Sequence, residues 1–302
     1  MKPVTLIGAP TDVGASIRGA SMGPEALRVA DIAGALVRNG LDVTDLGNLV
    51  GPGNPNLPPT DGVRHLPEVV AWNRLVMDAA YQALATGQLP LLMGGDHCLA
   101  IGSVNAAARY CREQGKKLLV LWLDAHADAN TGSTSPTGNT HGMPVACLCG
   151  DGPAPLVSLG GVTPATSPRN IRQIGIRSVD AEEKKRLREL GLTVYDMRYI
   201  DENGMRATME QALAGIDADT HLHVSFDVDF LDSQIAPGVG TAVRGGPTYR
   251  EAHLALEMIE DTGALSSIDV VELNPARDVH NQTAELVVEL LESLFGKSTL
   301  LR

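Results

Sequence analysis

Three observations predict an α/β fold with a mainly parallel sheet. Short apolar runs alternate with longer amphipathic segments along all 302 residues, the pattern of βαβ units joined by right-handed crossovers. Hydrophobic residues make up 44% of the chain but aromatics only 3%, so Leu, Val, Ile and Ala must build the core. No internal repeat, low-complexity tract or linker divides the chain, which reads as one domain over residues 1–302.

The elements follow from where apolar runs give way to amphipathic ones. The first strand, 4–8, is Val-Thr-Leu-Ile-Gly, too short and too quickly interrupted to be a signal peptide. An amphipathic helix over 23–38 leads to a strand at 42–46, and one over 66–87 leads to the run Pro-Leu-Leu-Met-Gly at 90–94. A helix at 98–114 precedes the most apolar strand, 118–124, and one at 142–149 precedes 171–176. The remaining pairs are helix 180–190 with strand 193–196, helix 204–214 with strand 221–228, and helix 248–261 with strand 268–273. A helix at 281–295 closes the series, and the Gly/Pro-rich stretches 50–60 and 150–169 are surface loops.

The formal charge of −12 argues against nucleic acid or an anionic membrane surface as partner and suits a cationic substrate. No apolar run reaches membrane-spanning length. The four cysteines, Cys98, Cys111, Cys147 and Cys149, show neither a disulfide framework nor zinc-finger spacing and predict reduced thiols of a cytoplasmic protein.

Function is written at three strand exits: Leu-Met-Gly-Gly-Asp-His at 92–97, Leu-Trp-Leu-Asp-Ala-His-Ala-Asp-Ala-Asn at 121–130, and Val-Ser-Phe-Asp-Val-Asp at 224–229. Together they offer His97, Asp124, His126, Asp128, Asp227 and Asp229. Such a set exceeds the needs of one divalent ion and suits two ions sharing bridging carboxylates. Carboxylate-rich sites with a minority of His favour hard or borderline metals such as Mn over structural Zn. In an extended segment, residues two apart project together roughly 6.6 Å apart. Asp124, His126, Asp128 and Asn130 therefore share one parity, and alanines fill the other. Carboxylates packed this densely repel one another unless cations lie between them. The pattern predicts a binuclear metallohydrolase. His221 and His223 share parity with Asp227, but His223 lies roughly 13 Å upstream along an extended strand and reads as a hydrogen-bonded sheet histidine.

Around the cluster, Thr137, Asn139 and Asn130 supply neutral donors suited to a substrate carboxylate. His141, at the start of the next element, has the intrinsic pKa of a proton shuttle. Glu272, at the exit of the Ile-Asp-Val-Val-Glu strand, is placed to hold a planar guanidinium bidentately. The Gly-rich stretch 236–246 lacks a phosphate-loop arrangement and reads as a tight loop shaping the pocket.

The strings Gly-Gly-Asp-His, Asp-Ala-His-x-Asp, Ser-Phe-Asp-Val-Asp-x-x-Asp and Gly-Gly-x-Thr-Tyr-Arg-Glu resemble the ureohydrolase (arginase–agmatinase) family, from Gly8-Ala-Pro to Glu272-Leu-Asn-Pro. Asp124-Ala-His-Ala-Asp-Ala-Asn130 and Thr137-Gly-Asn139-Thr-His141-Gly resemble its arginase branch. The resemblance implies a three-layer α/β/α fold, an eight-stranded mainly parallel sheet, and a homo-oligomer, trimer or hexamer. It implies two Mn ions, one on His97, Asp124, Asp128 and Asp227, the other on Asp124, His126, Asp227 and Asp229. It assigns the substrate carboxylate to Asn130, Thr137 and Asn139, the α-amino group to Asp180 with Glu183 as second candidate, the guanidinium to Glu272, and a supporting pocket position to Thr241. Asp128 and His141 become the proton-handling residues. Thr137 stands where the family usually has Ser, and Ser178 where an Asp often precedes Val-Asp. The implied reaction is hydrolysis of L-arginine to L-ornithine and urea by a metal-bridging hydroxide. A sibling amidinohydrolase acting on agmatine or guanidinobutyrate is the alternative, and a non-catalytic metal- or arginine-binding protein a third.

Overall fold

A computed structural model describes residues 2–298 and 300. Its strands are β1 (Val4–Gly8), β2 (Val43–Asn48), β3 (Leu89–Met93), β4 (Lys117–Leu123), β5 (Ile171–Ile176), β6 (Thr193–Asp196), β7 (Thr220–Asp227) and β8 (Leu265–Val271). They form one sheet in the order β2-β1-β3-β8-β7-β4-β5-β6. Every neighbouring pair is parallel, so the sheet is wholly rather than mainly parallel.

The helices are α1 (Gly23–Val29), α2 (Ile32–Arg38), α3 (Leu66–Ala85), α4 (Ala100–Gln114), α5 (Pro144–Leu148), α6 (Ala154–Val157), α7 (Ala181–Leu190), α8 (Met197–Ala212), α9 (Tyr249–Glu260) and α10 (Gln282–Leu294). Helices α1, α2, α8, α9 and α10 pack together on one face, and α3, α4 and α5 on the other. Strands between two helical layers are apolar on both sides. In β4, Leu121 and Leu123 join the core under the first layer while Val120 and Trp122 join the core under the second.

Several boundaries depart from expectation. The helix expected over 23–38 is two, because Asp31 turns left-handed at φ 61, a conformation that Asp tolerates better than most side chains. Helix α8 begins at Met197, not 204, and is kinked where Gly204 takes φ 82. The short α6 lies within the expected 150–169 loop. Strand β8 ends at Val271, which leaves Glu272 just outside the sheet at φ 64. All four cysteines are free, and Cys98, Cys111 and Cys147 are buried. No described helix is long and apolar enough to cross a membrane.

The topology explains where a site must form. From the adjacent strands β4 and β7 the chain departs in opposite directions, to β5 and to β8. Right-handed crossovers then send the two connections to opposite faces, opening a crevice at the carboxyl ends of β4 and β7.

Candidate functional site

Asp124 follows the last residue of β4 and Asp227 ends β7, so both carboxylates stand at the mouth of this crevice. His97 opens a single 3-10 turn after β3, and Asp229 lies in another directly after β7. Gly95 permits the approach of the His97 loop, since a Cβ there would lie 1.6 Å from the Thr11 carbonyl oxygen. Strand alternation accounts for only part of the convergence. His126 still bridges to Ser178 in parallel, but Asp128 turns to φ 51 and is brought in by the loop itself.

The six side chains meet as two overlapping groups. His97, Asp124 and Asp227 form one, Asp124, His126 and Asp229 the other, with donor atoms of each group within 4.8 Å of one another. Asp124 belongs to both; Asp227 belongs to the first only. Asp128 joins the first side, with Oδ2 at 3.1 Å from His97 Nδ1. Supporting contacts fix each ligand. The Trp122 indole donates to Asp124 Oδ2 at 2.8 Å, Ala125 N to Asp229 Oδ1 at 3.1 Å, and Thr241 Oγ1 to Asp229 Oδ2 at 3.0 Å. His97 stacks on Trp122 with ring centroids 4.2 Å apart, and its Nε2 meets Ser225 Oγ at 2.8 Å.

The electrostatics call for cations. Burial, then the charge of Asp124, pushes Asp128 up to about 6. Burial, with Asp229 and Asp124 close by, raises Asp227 well above the usual carboxylate range, and burial beside Asp124 raises Asp229. Burial opposes protonation of both imidazoles, yet the carboxylates around them raise His97 well above its usual value and His126 to about 12. His97 Nδ1 lies 3.0–3.1 Å from oxygens of Asp124, Asp128 and Asp227, yet it is hydrogen-bonded to none of them. Asp128 Oδ2 is equally unpartnered. Buried polar atoms left this way and aimed at one point fit a metal ion, and the carboxylate-rich donor set fits hard divalent ions.

A cavity of about 190 Å³ opens over this cage, bordered by Asn130, Thr137, Asn139, His141, Asp180, Glu183 and Thr241. Asn130 Nδ2 donates to Asp180 Oδ2 at 2.8 Å, while Asp180 Oδ1 caps α7 through the Glu182 and Glu183 amides. Glu183 Oε1 accepts from Ala129 N at 2.8 Å, and burial outweighs that bond to bring its carboxyl to about 7. Thr137 Oγ1 accepts from Asn139 N at 3.2 Å. Glu272 is buried and does not border the cavity. Its Oε1 accepts from His97 N at 2.8 Å and pairs with His141 Nδ1 at 2.9 Å. Burial works against a charged His141, but Glu272 raises it to about 9.

His221 and His223 stay out of the cage: both rings meet Ser267 Oγ, and His223 Nε2 also meets Asp269 at 3.1 Å. Sequence reasoning passed over Ser225, although its parity with Asp227 signals that it faces the same layer. It also missed Ser135 in the cavity wall, which carries no local signal beyond being a polar loop residue, whereas Ser178, noted for replacing an Asp, does line the cavity.

A doubly wound parallel sheet with a carboxylate–imidazole cage at its switch point defines a metal-site α/β protein. A profile of the Arginase family matches residues 2–296. The arginase of Brucella melitensis is 44% identical over 301 residues, covering 98% of this chain and 96% of that protein. The crystal structure of arginase from Bacillus subtilis superposes with a TM-score of 0.90 at 41% identity, covering 99% and 100% of the two chains. That of Bacillus caldovelox arginase gives 0.93 at 40% identity with the same coverage. The chain belongs to the arginase family.

Proposed function

We propose that this arginase-family hydrolase converts L-arginine to L-ornithine and urea with two Mn ions in the cage. The reading is carried by one juxtaposition: neutral donors and two acids, Asp180 and Glu183, ring the cavity directly above the six-ligand cage. An amino-acid head group and a guanidinium held over metals is the substrate this arrangement serves.

His97, Asp124, Asp128 and Asp227 would hold one ion, and Asp124, His126, Asp227 and Asp229 the other. When bound, the ions would lower the pKa of water and stabilise the tetrahedral arrangement formed on attack at the guanidinium carbon. Asp128, through the carboxylate oxygen not turned to the cage, takes the proton of the attacking water and returns it to the leaving amine. His141 is anchored through Nδ1 by Glu272, which leaves Nε2 to exchange that proton with solvent. Asn130, Thr137 and Asn139 bind the α-carboxylate, while Asp180 and Glu183 face the α-ammonium. Glu272, which does not border the cavity, serves the guanidinium end through His141, the cavity residue that it anchors, and Thr241 steadies Asp229. Homo-oligomerisation follows from the family resemblance, and a cytoplasmic setting from the free cysteines.

The test is urea release from L-arginine, agmatine and guanidinobutyrate with Mn supplied. L-Arginine should exceed both by orders of magnitude, because buried groups left without partners penalise the poorer substrates. Comparable rates on agmatine would replace this reading with that of a general guanidino-hydrolase.

A further inference from the structure

We propose that Arg64 fixes which end of the Asn139 amide faces the cavity and thereby sets the preference for a carboxylate-bearing substrate. The inference rests on the reading of Asn139 as a carboxylate contact. An asparagine side chain offers a donor at one end and an acceptor at the other, and the two ends have nearly the same shape. A carboxylate binds only the donor end and is repelled by the other. What decides the orientation is therefore as important to specificity as the asparagine itself.

Arg64 decides it. A guanidinium has five N–H donors and no acceptor, and Arg64 Nε donates to Asn139 Oδ1 at 3.0 Å. Turning the amide over would set two donors against each other. Asn139 Nδ2 consequently faces Ser16 Oγ at 2.9 Å and lies 3.5 Å from Nε2 of His141, which lines the cavity. The guanidinium cannot follow a moving amide, because Nη1 is tied to the Leu57 carbonyl at 2.6 Å and the Arg64 backbone N–H to the Gly138 carbonyl at 2.8 Å. The loop carrying Arg64 is itself pressed against the substrate loop. Gly62 takes φ +74, and a Cβ there would lie 1.9 Å from the Gly132 carbonyl oxygen.

Charge adds a second effect. Among the described residues no carboxylate forms an ion pair with Arg64, although the chain carries a formal charge of −12. An uncompensated cation on the amide oxygen makes a charge-assisted hydrogen bond and polarises the amide N–H, strengthening it as a donor to an anion. Arg64 does not border the cavity itself; it is a positioning residue acting through Asn139.

The experiment compares Arg64→Ala, Arg64→Lys, Asn139→Ala and the Arg64→Ala/Asn139→Ala pair in the manganese-loaded protein. It reads steady-state kinetics on L-arginine and agmatine and calorimetric binding of L-ornithine. Arg64→Ala should raise KM for L-arginine and weaken L-ornithine binding by about tenfold, the scale of one polar contact, while agmatine loses far less. The double variant should be no worse than Asn139→Ala alone, and Arg64→Lys, which still offers a donor, should recover most of the loss. Equal losses on both substrates, or additive losses in the pair, would overturn the proposal. If Arg64→Ala does not fold, Arg64→Met, which keeps the length of the stem and offers no donor, takes its place, with the same outcomes deciding. An Asn139→Ala variant with an unchanged preference for L-arginine would instead remove the carboxylate reading on which the inference stands.

Discussion

Asp128 and Glu272 are two of the few non-glycine residues with positive φ, at 51° and 64°. Each such backbone costs about 1–3 kcal/mol and persists because its surroundings enforce it. Here the strain aims one carboxylate into the cage and the other onto His141. His141 is then the most informative single residue to change. His141→Ala should lower turnover by about 10²- to 10⁴-fold, the usual range for a lost proton-transfer group, with metal content unchanged and partial recovery in imidazole buffer. Loss of metal measured by elemental analysis would make it a ligand and remove the shuttle role. The acid clusters were legible in the sequence because each directly closes an apolar strand. The left-handed turns at Asp128 and Glu272 were not, since they are imposed by packing around them. Nor was the contact of Arg64 with Asn139, which joins loops from two separate βα units.

At the level of elements, the six inner strands could be placed from apolar runs because a parallel sheet buries both faces and leaves uninterrupted signals. The edge strands β2 and β6 are only partly buried and were placed by their position between helical segments. Helix ends were harder. The breaks at Asp31 and Gly204 come from single residues whose conformation depends on tertiary fit. Helix α7 is the element most closely joined to function, because its N-cap, Asp180, uses one oxygen for the helix and the other for Asn130. These two duties can be separated. Asp180→Ala should cost about 1 kcal/mol of stability as a lost cap and also reduce L-arginine turnover. Asp180→Asn, a good cap without charge, should keep the thermal midpoint and still lose much of the preference for L-arginine over guanidinobutyrate. If Asp180→Asn matched the unmodified protein on both substrates, Asp180 would be a cap and nothing more.

At the scale of the whole molecule, the cage ties folding to metal and pH. Without metal, Asp128 titrates near about 6 instead of 3.8, and Asp227 and Asp229 are raised as well. A group whose pKa rises on folding holds its proton more tightly in the folded state. Its support is full below the unfolded pKa and is lost as pH rises through the folded one. His97 and His126, also raised, carry the same sign. Asp124, which burial would raise but the two imidazoles hold below the usual carboxylate range, carries the opposite sign and is outnumbered. The metal-free cage therefore weakens the fold as pH climbs from about 4 through about 6 and beyond. Metal acts in the opposite sense, because it binds the deprotonated ligands and grows tighter with pH. Binding at a hundredfold excess over Kd contributes about 2.7 kcal/mol by mass action. The gap in thermal midpoint between manganese-loaded and chelated protein should accordingly widen between pH of about 5.5 and about 8. Elemental analysis should find close to two Mn per chain, and Asp124→Asn, which alters the carboxylate common to both groups, should abolish most of the gap. A gap of the same size at both pH values would show that protons and metal do not compete for these six side chains.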